Sequence, residues 1–213
     1  MDASLVGGVA VLERAIAYAL GALAEVTPEA LGRPTPCRRW NLYDLLEHVD
    51  DSLVALQEAA QSGRVGGGVP YYVPGSPVPP LHRPGRRPGG EVVPRVRAQA
   101  VRLLGSWTNA DDAAVVCVGE VPMSAPLIAG AGALEVTVHG WDVAQACGRP
   151  RPIPAHLADE LLDLAVLFVR PADRPGRFAR PIELPPGAPP ADRLLAFLGR
   201  QPWPPAGLIM GSS

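Results

Sequence analysis

No proline falls between Leu127 and Arg149, in a chain of 213 residues that contains 26 of them. Proline removes a backbone donor and clashes with the preceding turn, so it ends helices. This window is therefore where the chain is free to build one long helix, and Gly148 offers its C-terminal stop. On a helix advancing about 100° per residue, Glu135 and His139 stand one turn apart, and Asp142 returns to within roughly 20° of Glu135. The three form a polar stripe. Leu134, Val138 and Trp141 flank it on one side, Val136 and Val143 on the other. A stripe so flanked is expected to point into a bundle or a cleft, not at water. Buried carboxylates and imidazoles are costly unless paired or bound to metal. Glu and His at i, i+4 can reach one divalent ion. The same pair also fits an ordinary helical ion pair, and a third ligand from elsewhere in the chain would decide between them.

Further helices are read from apolar spacing. Leu5 to Val26 carries Val9, Leu12, Ile16, Leu20 and Leu23 at three- and four-residue steps. Thr27 and Pro28 suit the N-cap and first position of a short turn, which Gly32, Pro34 and Pro36 break. Asn41 to Gln61 has Asn41 as a cap, Asp44 at the positive helix end, and a buried face of Leu42, Leu45, Leu46, Val49, Leu53 and Leu56. His48 is roughly 110° from the centre of that face. It suits either a surface position or a turn toward a cleft. Glu91 to Trp107 is a third helix, with Val93, Val96, Ala100, Leu103 and Leu104 inward. Pro154 to Val169 is a fifth, with Leu157, Leu161, Leu164, Leu167 and Phe168 inward and His156 exposed in its first turn. Ala191 to Gly199 is a short last helix. Asp111 to Val121, rich in Ala and Val, reads as a small hairpin at most. Ile182-Glu183-Leu184 is a candidate strand.

Ser62 to Gly90 differs in kind. About half of it is Gly or Pro, so it forms no regular helix or central strand. It carries Tyr71, Tyr72, His82, Arg83, Arg86 and Arg87. It reads as a surface insertion, or as a lid whose aromatics and arginines meet a substrate.

Composition excludes several functions. The net charge of −2 gives no electrostatic case for nucleic acid or an anionic membrane. All 19 basic residues are Arg, with no Lys, and together with abundant Ala, Gly and Pro this suggests a GC-rich, actinobacterial source. Cys37, Cys117 and Cys147 lie far apart, without C-x-x-C spacing. Neither a disulfide framework nor a thiolate zinc knuckle is expected, and each is read as a small buried hydrophobe. Glu13 and Arg14 interrupt the first apolar run, so no secretory signal is expected. No apolar run reaches membrane-spanning length. The expected location is the cytoplasm. There is no Gly-rich phosphate loop ending in Lys and no G-x-S-x-G elbow.

Two segments together carry a family resemblance. Thr35-Pro36-Cys37-Arg38-Arg39-Trp40, followed by Leu45 and His48, resembles the T-P-C-x-x-W-x-x-x-x-L-x-x-H signature of the DinB-like (YfiT-like) metalloenzymes. Glu135-Val136-Thr137-Val138-His139-Gly140-Trp141-Asp142-Val143-Ala144 resembles the E-x-x-V-H-G-W-D-L-A signature of their mycothiol-dependent maleylpyruvate isomerase branch. The ending Ala191 to Arg200 is also typical. The resemblance implies a mostly α fold: a four-helix up-down-down-up bundle with a small β hairpin. The bundle then covers 1–150, interrupted by the insertion 62–90, and a C-terminal α/β extension, 151–213, packs on it. It also implies a divalent metal, zinc or nickel, held by His48, Glu135 and His139, and a link to low-molecular-weight thiols such as mycothiol.

Two imidazoles and one carboxylate leave a metal position open for water or substrate, which suits catalysis more than scaffolding. The expected function is a metal-dependent, thiol-linked isomerase or S-transferase acting on a small electrophile. The alternatives are a thiol-independent cyclase, isomerase or hydrolase of secondary metabolism, and a non-catalytic metal-binding bundle. Asp142 either orients His139 or a water as a further catalytic residue, or caps or pairs with an Arg. Trp141 reads as core. Arg193 is a candidate for the thiol, against a surface role. Expected partners are a small-molecule substrate and a second copy in a homodimer, with no nucleic acid and no membrane.

Overall fold

The computed structural model describes residues 7–37, 40–65, 91–107, 115–118, 121–174 and 178–202. It divides into two compact units, Met1–Ile153 and Pro154–Ser213. The first unit holds four long helices: α1 (Gly8–Leu23), α2 (Leu42–Ser62), α3 (Val92–Trp107) and α4 (Ala125–Ala146). It also holds three short strands: β1 (Arg64–Val65), β2 (Val115–Val118) and β3 (Val121–Ser124).

Residue pairings fix the helix directions. A side-chain carbon added at Gly8 would meet Pro126, and one at Gly140 would meet Ala19 and Tyr18, so α1 and α4 run parallel. One added at Gly132 would meet Leu56, whereas His48 pairs with Glu135, so α2 runs antiparallel to α4. Arg95 reaches Glu47 and Asp50, and Trp107 Nε1–H donates to the Leu56 carbonyl at 3.2 Å, so α3 runs with α2. The result is up, down, down, up. The core between them is aliphatic. Leu12, Ile16, Leu42, Leu45, Leu46, Leu53, Leu103 and Trp107 are all buried.

Local sequence explains the ends. Asn41 closes a capping box on α2: its side chain accepts from Asp44 N–H at 2.9 Å, and the Asp44 carboxylate accepts from Asn41 N–H at 3.4 Å. Gly63 ends α2 with φ +64°, a left-handed conformation that costs glycine nothing. At the far end of α4, Gly148 (φ +68°) turns the chain, and Arg33 Nη1 donates to the Cys147 carbonyl at 3.1 Å. β1 pairs parallel to β2, and β2 pairs antiparallel to β3. A small hairpin is present, but its second strand is Val121–Ser124, just beyond the expected 111–121, and β1 is added at its edge.

Several expectations shift. The segment beginning at Ser62 opens inside α2 and then supplies β1; residues 66–90, with Tyr71, Tyr72, His82, Arg83, Arg86 and Arg87, lie outside the described residues. On α3 the buried face runs through Val92, Val96, Gln99, Ala100, Leu103 and Trp107, leaving Val93 and Leu104 half-buried. Trp107 sets that rotation by turning its indole toward α2. Thr27 stands at the N-cap of the turn Pro28–Ala30, but its hydroxyl makes no capping bond to the backbone. Cys147 is buried, whereas Cys37 and Cys117 are half-buried in a loop and a strand.

The second unit contains α5 (Ala155–Phe168), a 3-10 turn (Pro171–Asp173) and α6 (Pro190–Phe197). Leu157, Leu161 and Ala165 of α5 are buried, but Leu167 is 68% exposed and Leu164 only half-buried. His156 is exposed. Residues 182–184 form no strand among the described residues; Ile182 N–H donates instead to the Ala196 carbonyl at the end of α6, at 3.0 Å. No helix among the described residues is long and apolar enough to cross a membrane.

Candidate metal centre

His48 sits in the second turn of α2, and Glu135 and His139 lie one turn apart on α4. The antiparallel contact between these helices brings the three together. Nε2 of His48 is 2.5 Å from Oε1 of Glu135, and Nε2 of His139 is 3.2 Å from the same oxygen. The imidazole rings stand edge to face, with centroids 5.1 Å apart. One ligand-type atom from each residue lies within 4.8 Å of the others, a spacing that could hold a metal ion. His139 is buried, and the Glu135 side chain keeps 35% of its exposure, so the cluster is closed from below and open on one side.

Asp142 completes the stripe. It is fully buried, and its Oδ2 accepts from Nδ1–H of His139 at 3.0 Å. That bond fixes the tautomer whose Nε2 faces the cluster. Val136, Val138, Trp141 and Val143 are buried around the stripe. The apolar flanks read from the sequence thus exclude water from all but the open side.

The electrostatics follow from this packing. Burial disfavours a charge on His139, but the Glu135 carboxylate and the bond to Asp142 outweigh it and push the imidazole up to about 9. Burial likewise opposes ionisation of Glu135, yet His139 and then His48 hold its carboxyl well below the usual carboxylate range. In the metal-free cluster the two histidines thus share one carboxylate that is held in its charged form.

The donor set fits a divalent ion. With bonds of about 2.1 Å in a tetrahedron, ligand atoms sit about 3.4 Å apart. The His139–Glu135 separation is close to that value. The His48–Glu135 separation is shorter, so an ion would have to part these two groups.

Trp40 is a wall of this site that spacing alone did not assign. Its ring lies 4.5 Å from the His48 ring and 6.1 Å from that of His139. Its presence in the T-P-C-x-x-W signature, two turns ahead of His48, was the available signal. Arg193, the candidate for the thiol, is on α6. It lies in the second unit, 54% exposed and 4.0 Å from Asp159.

The sequence profile of the mycothiol maleylpyruvate isomerase N-terminal domain matches residues 12–144, from α1 through the cluster-bearing part of α4. The chain belongs to that family. Two uncharacterized proteins of Mycobacterium tuberculosis, from strains CDC 1551 / Oshkosh and H37Rv, are each 36% identical over 182 residues, covering 84% of this chain and 89% of theirs. No solved structure matches. His48, Glu135 and His139 come from two helices within the described residues and could hold a metal ion.

Proposed function

We propose that this chain is a divalent-metal-dependent enzyme that uses a low-molecular-weight thiol, in the manner of mycothiol, as an isomerase or S-transferase on a small electrophile. The observation that carries this reading is the convergence of His48 Nε2, Glu135 Oε1 and His139 Nε2 on one point, open on one side, inside a family described by a mycothiol-dependent isomerisation. Zinc suits this nitrogen and oxygen donor set, and nickel is the second choice.

When bound, such an ion supplies Lewis acidity and favours thiolate over thiol at neutral pH. The chain's own residues do the rest. Asp142 holds the His139 ring in one tautomer. Glu135, kept ionised by the two imidazoles, offsets the charge of the ion. The apolar flanks keep water from the buried side. As an isomerase, the thiol sulfur would add to a conjugated double bond, the resulting single bond would rotate, and elimination would return the thiol unchanged. As a transferase, the carbon–sulfur bond would persist and a leaving group would depart. A small-molecule substrate at the open side, and a cytoplasmic setting that supplies the thiol, belong to the same proposal.

The test has two arms. Elemental analysis of the purified protein should give about one ion per chain, and His48→Ala and His139→Ala should lose it. Turnover of maleylpyruvate and related conjugated acids, or of simple electrophiles, should require added mycothiol. Equal metal content in the wild type and both variants would remove the site, and turnover without thiol would remove the thiol.

A further inference from the structure

The two histidines of the cluster are held in different ways. His139 has the usual arrangement, with a buried carboxylate on its outer nitrogen. His48 has none. Its Nδ1 is buried and has no hydrogen-bond partner among the described residues. What touches the ring instead is the indole of Trp40, 4.5 Å away and tilted by 36°.

The loop before α2 fixes the backbone from which that indole projects. The Thr35 hydroxyl is shared between the carbonyls of Trp40 and Cys37, at 2.8 and 3.0 Å. Trp40 N–H donates to the Cys37 carbonyl at 2.9 Å. Pro34 and Asn41 form an antiparallel bridge across the loop, and Leu42 N–H donates to the Arg33 carbonyl at 2.9 Å. Trp40 is thus the last residue before the capping box of α2, anchored from both sides, and its ring reaches two turns along the helix to His48. The spacing from Thr35 through Trp40 to His48 acquires a physical reason: the hydroxyl ties down the backbone of Trp40, and the indole meets the imidazole.

We infer that Trp40 is the positioning residue for His48, its ring face confining the imidazole so that Nε2 points at Glu135, in the role that Asp142 fills for His139 by hydrogen bonding. This rests on the metal-centre reading above. An unconfined His48 could turn about its side-chain bonds and lose the ion without any loss of fold. A flat ring is needed because the contact is face to face at a moderate tilt; a branched aliphatic side chain fills volume but leaves the imidazole free to rotate.

The experiment compares Trp40→Phe, Trp40→Leu, Thr35→Val and His48→Ala, with folding checked by circular dichroism. Zn²⁺ affinity is measured by competition with a chromophoric chelator, and ligand geometry from the visible absorption of the Co²⁺ form. Trp40→Leu should weaken Zn²⁺ about 10- to 100-fold, the range for losing an orienting partner, and should alter the Co²⁺ spectrum. Trp40→Phe should keep the wild-type spectrum and nearly the wild-type affinity. Thr35→Val, which leaves the indole in place but frees its loop, should fall between them. If Trp40→Leu does not fold, Thr35→Val decides. Wild-type affinity and spectrum in the folded Leu variant, or in the Val variant where it decides, overturn the inference while His48→Ala still loses the ion. A wild-type protein that binds no Zn²⁺ overturns the metal-centre reading and this inference with it.

Discussion

The Nδ1 of His139 lies 3.0 Å from Oδ2 of Asp142, one turn further along α4, and that aspartate is fully buried. No surface role accounts for a carboxylate in that position, because desolvation of a charge is costly unless partners such as the imidazole it faces offset it. Asp142→Ala should therefore weaken Zn²⁺ binding about 10- to 100-fold, or about 1.4–2.7 kcal/mol. Asp142→Asn keeps the shape and should lose less. Chelator competition on the folded variants measures both; undiminished affinity in the Ala variant would leave Asp142 a purely structural residue.

The ion and a proton compete for His139. Because that imidazole is raised to about 9, it carries a proton at neutral pH that must leave before Nε2 can ligate. Calorimetry at pH 7 in buffers of different ionisation enthalpy should show release of nearly one proton per ion bound. Apparent affinity should rise with pH and level off near 9. The stability of the metal-free fold runs the opposite way with respect to His139. A raised His pKa stabilises the metal-free fold fully below about 6.5, and that contribution fades as pH climbs toward 9. The lowered Glu135 contributes above the ordinary carboxylate range and is lost as pH falls below it. The metal-free protein should therefore melt highest in mildly acidic to neutral solution, and loading with Zn²⁺ should remove the alkaline decline.

Much of this was legible in the sequence because it depends on period and punctuation. The absence of proline after Leu127 announced α4, and the apolar spacing of Leu42 to Leu56 announced the buried face of α2. Glu135, His139 and Asp142 could be put on one stripe by helix geometry alone. What spacing could not supply was the pairing of helices, since nothing local to His48 says that it meets α4; the family signature filled that gap. The rotation of α3 was missed because one large indole at its last turn outweighed two Leu and Val positions. The exposure of Leu167 was missed because the periodic pattern of α5 is wider than the face it buries. Trp40 was visible only as a motif letter, because a ring contact across two helical turns has no periodic trace.

The capping box at Asn41 should carry measurable stability. It satisfies two backbone donors at the start of the helix that bears His48. Asn41→Ala should cost about 1 kcal/mol, a fall in Tm of about 2–4 °C for a chain of this size. Thermal melts of the metal-free protein check this. Metal stoichiometry should stay unchanged, because His48 lies beyond the first turn and is held from α4 and from Trp40.

Arg95 clamps α3 to α2 beside the site helix. Its Nε donates to Asp50 at 2.7 Å and its Nη2 to Glu47, while Nη1 and Asp50 Oδ1 are buried without hydrogen-bond partners among the described residues. Burial works against the guanidinium charge, but Asp50 and then Glu47 outweigh it and raise its pKa. Such a cluster is costly to break from one side, since the survivors stay desolvated and unpaired. Arg95→Ala should lose about 1–3 kcal/mol, because both carboxylates remain part-buried beside one another. Adding Glu47→Gln and Asp50→Asn to that variant should recover a substantial part of the loss by removing the orphaned charges, a non-additivity expected only for residues that share partners. Urea unfolding at one pH of the wild type, Arg95→Ala, the Glu47→Gln/Asp50→Asn pair and the triple variant measures the coupling; strictly additive losses would mean that Arg95 and the two carboxylates act separately and that α2 and α3 are joined by their apolar faces alone.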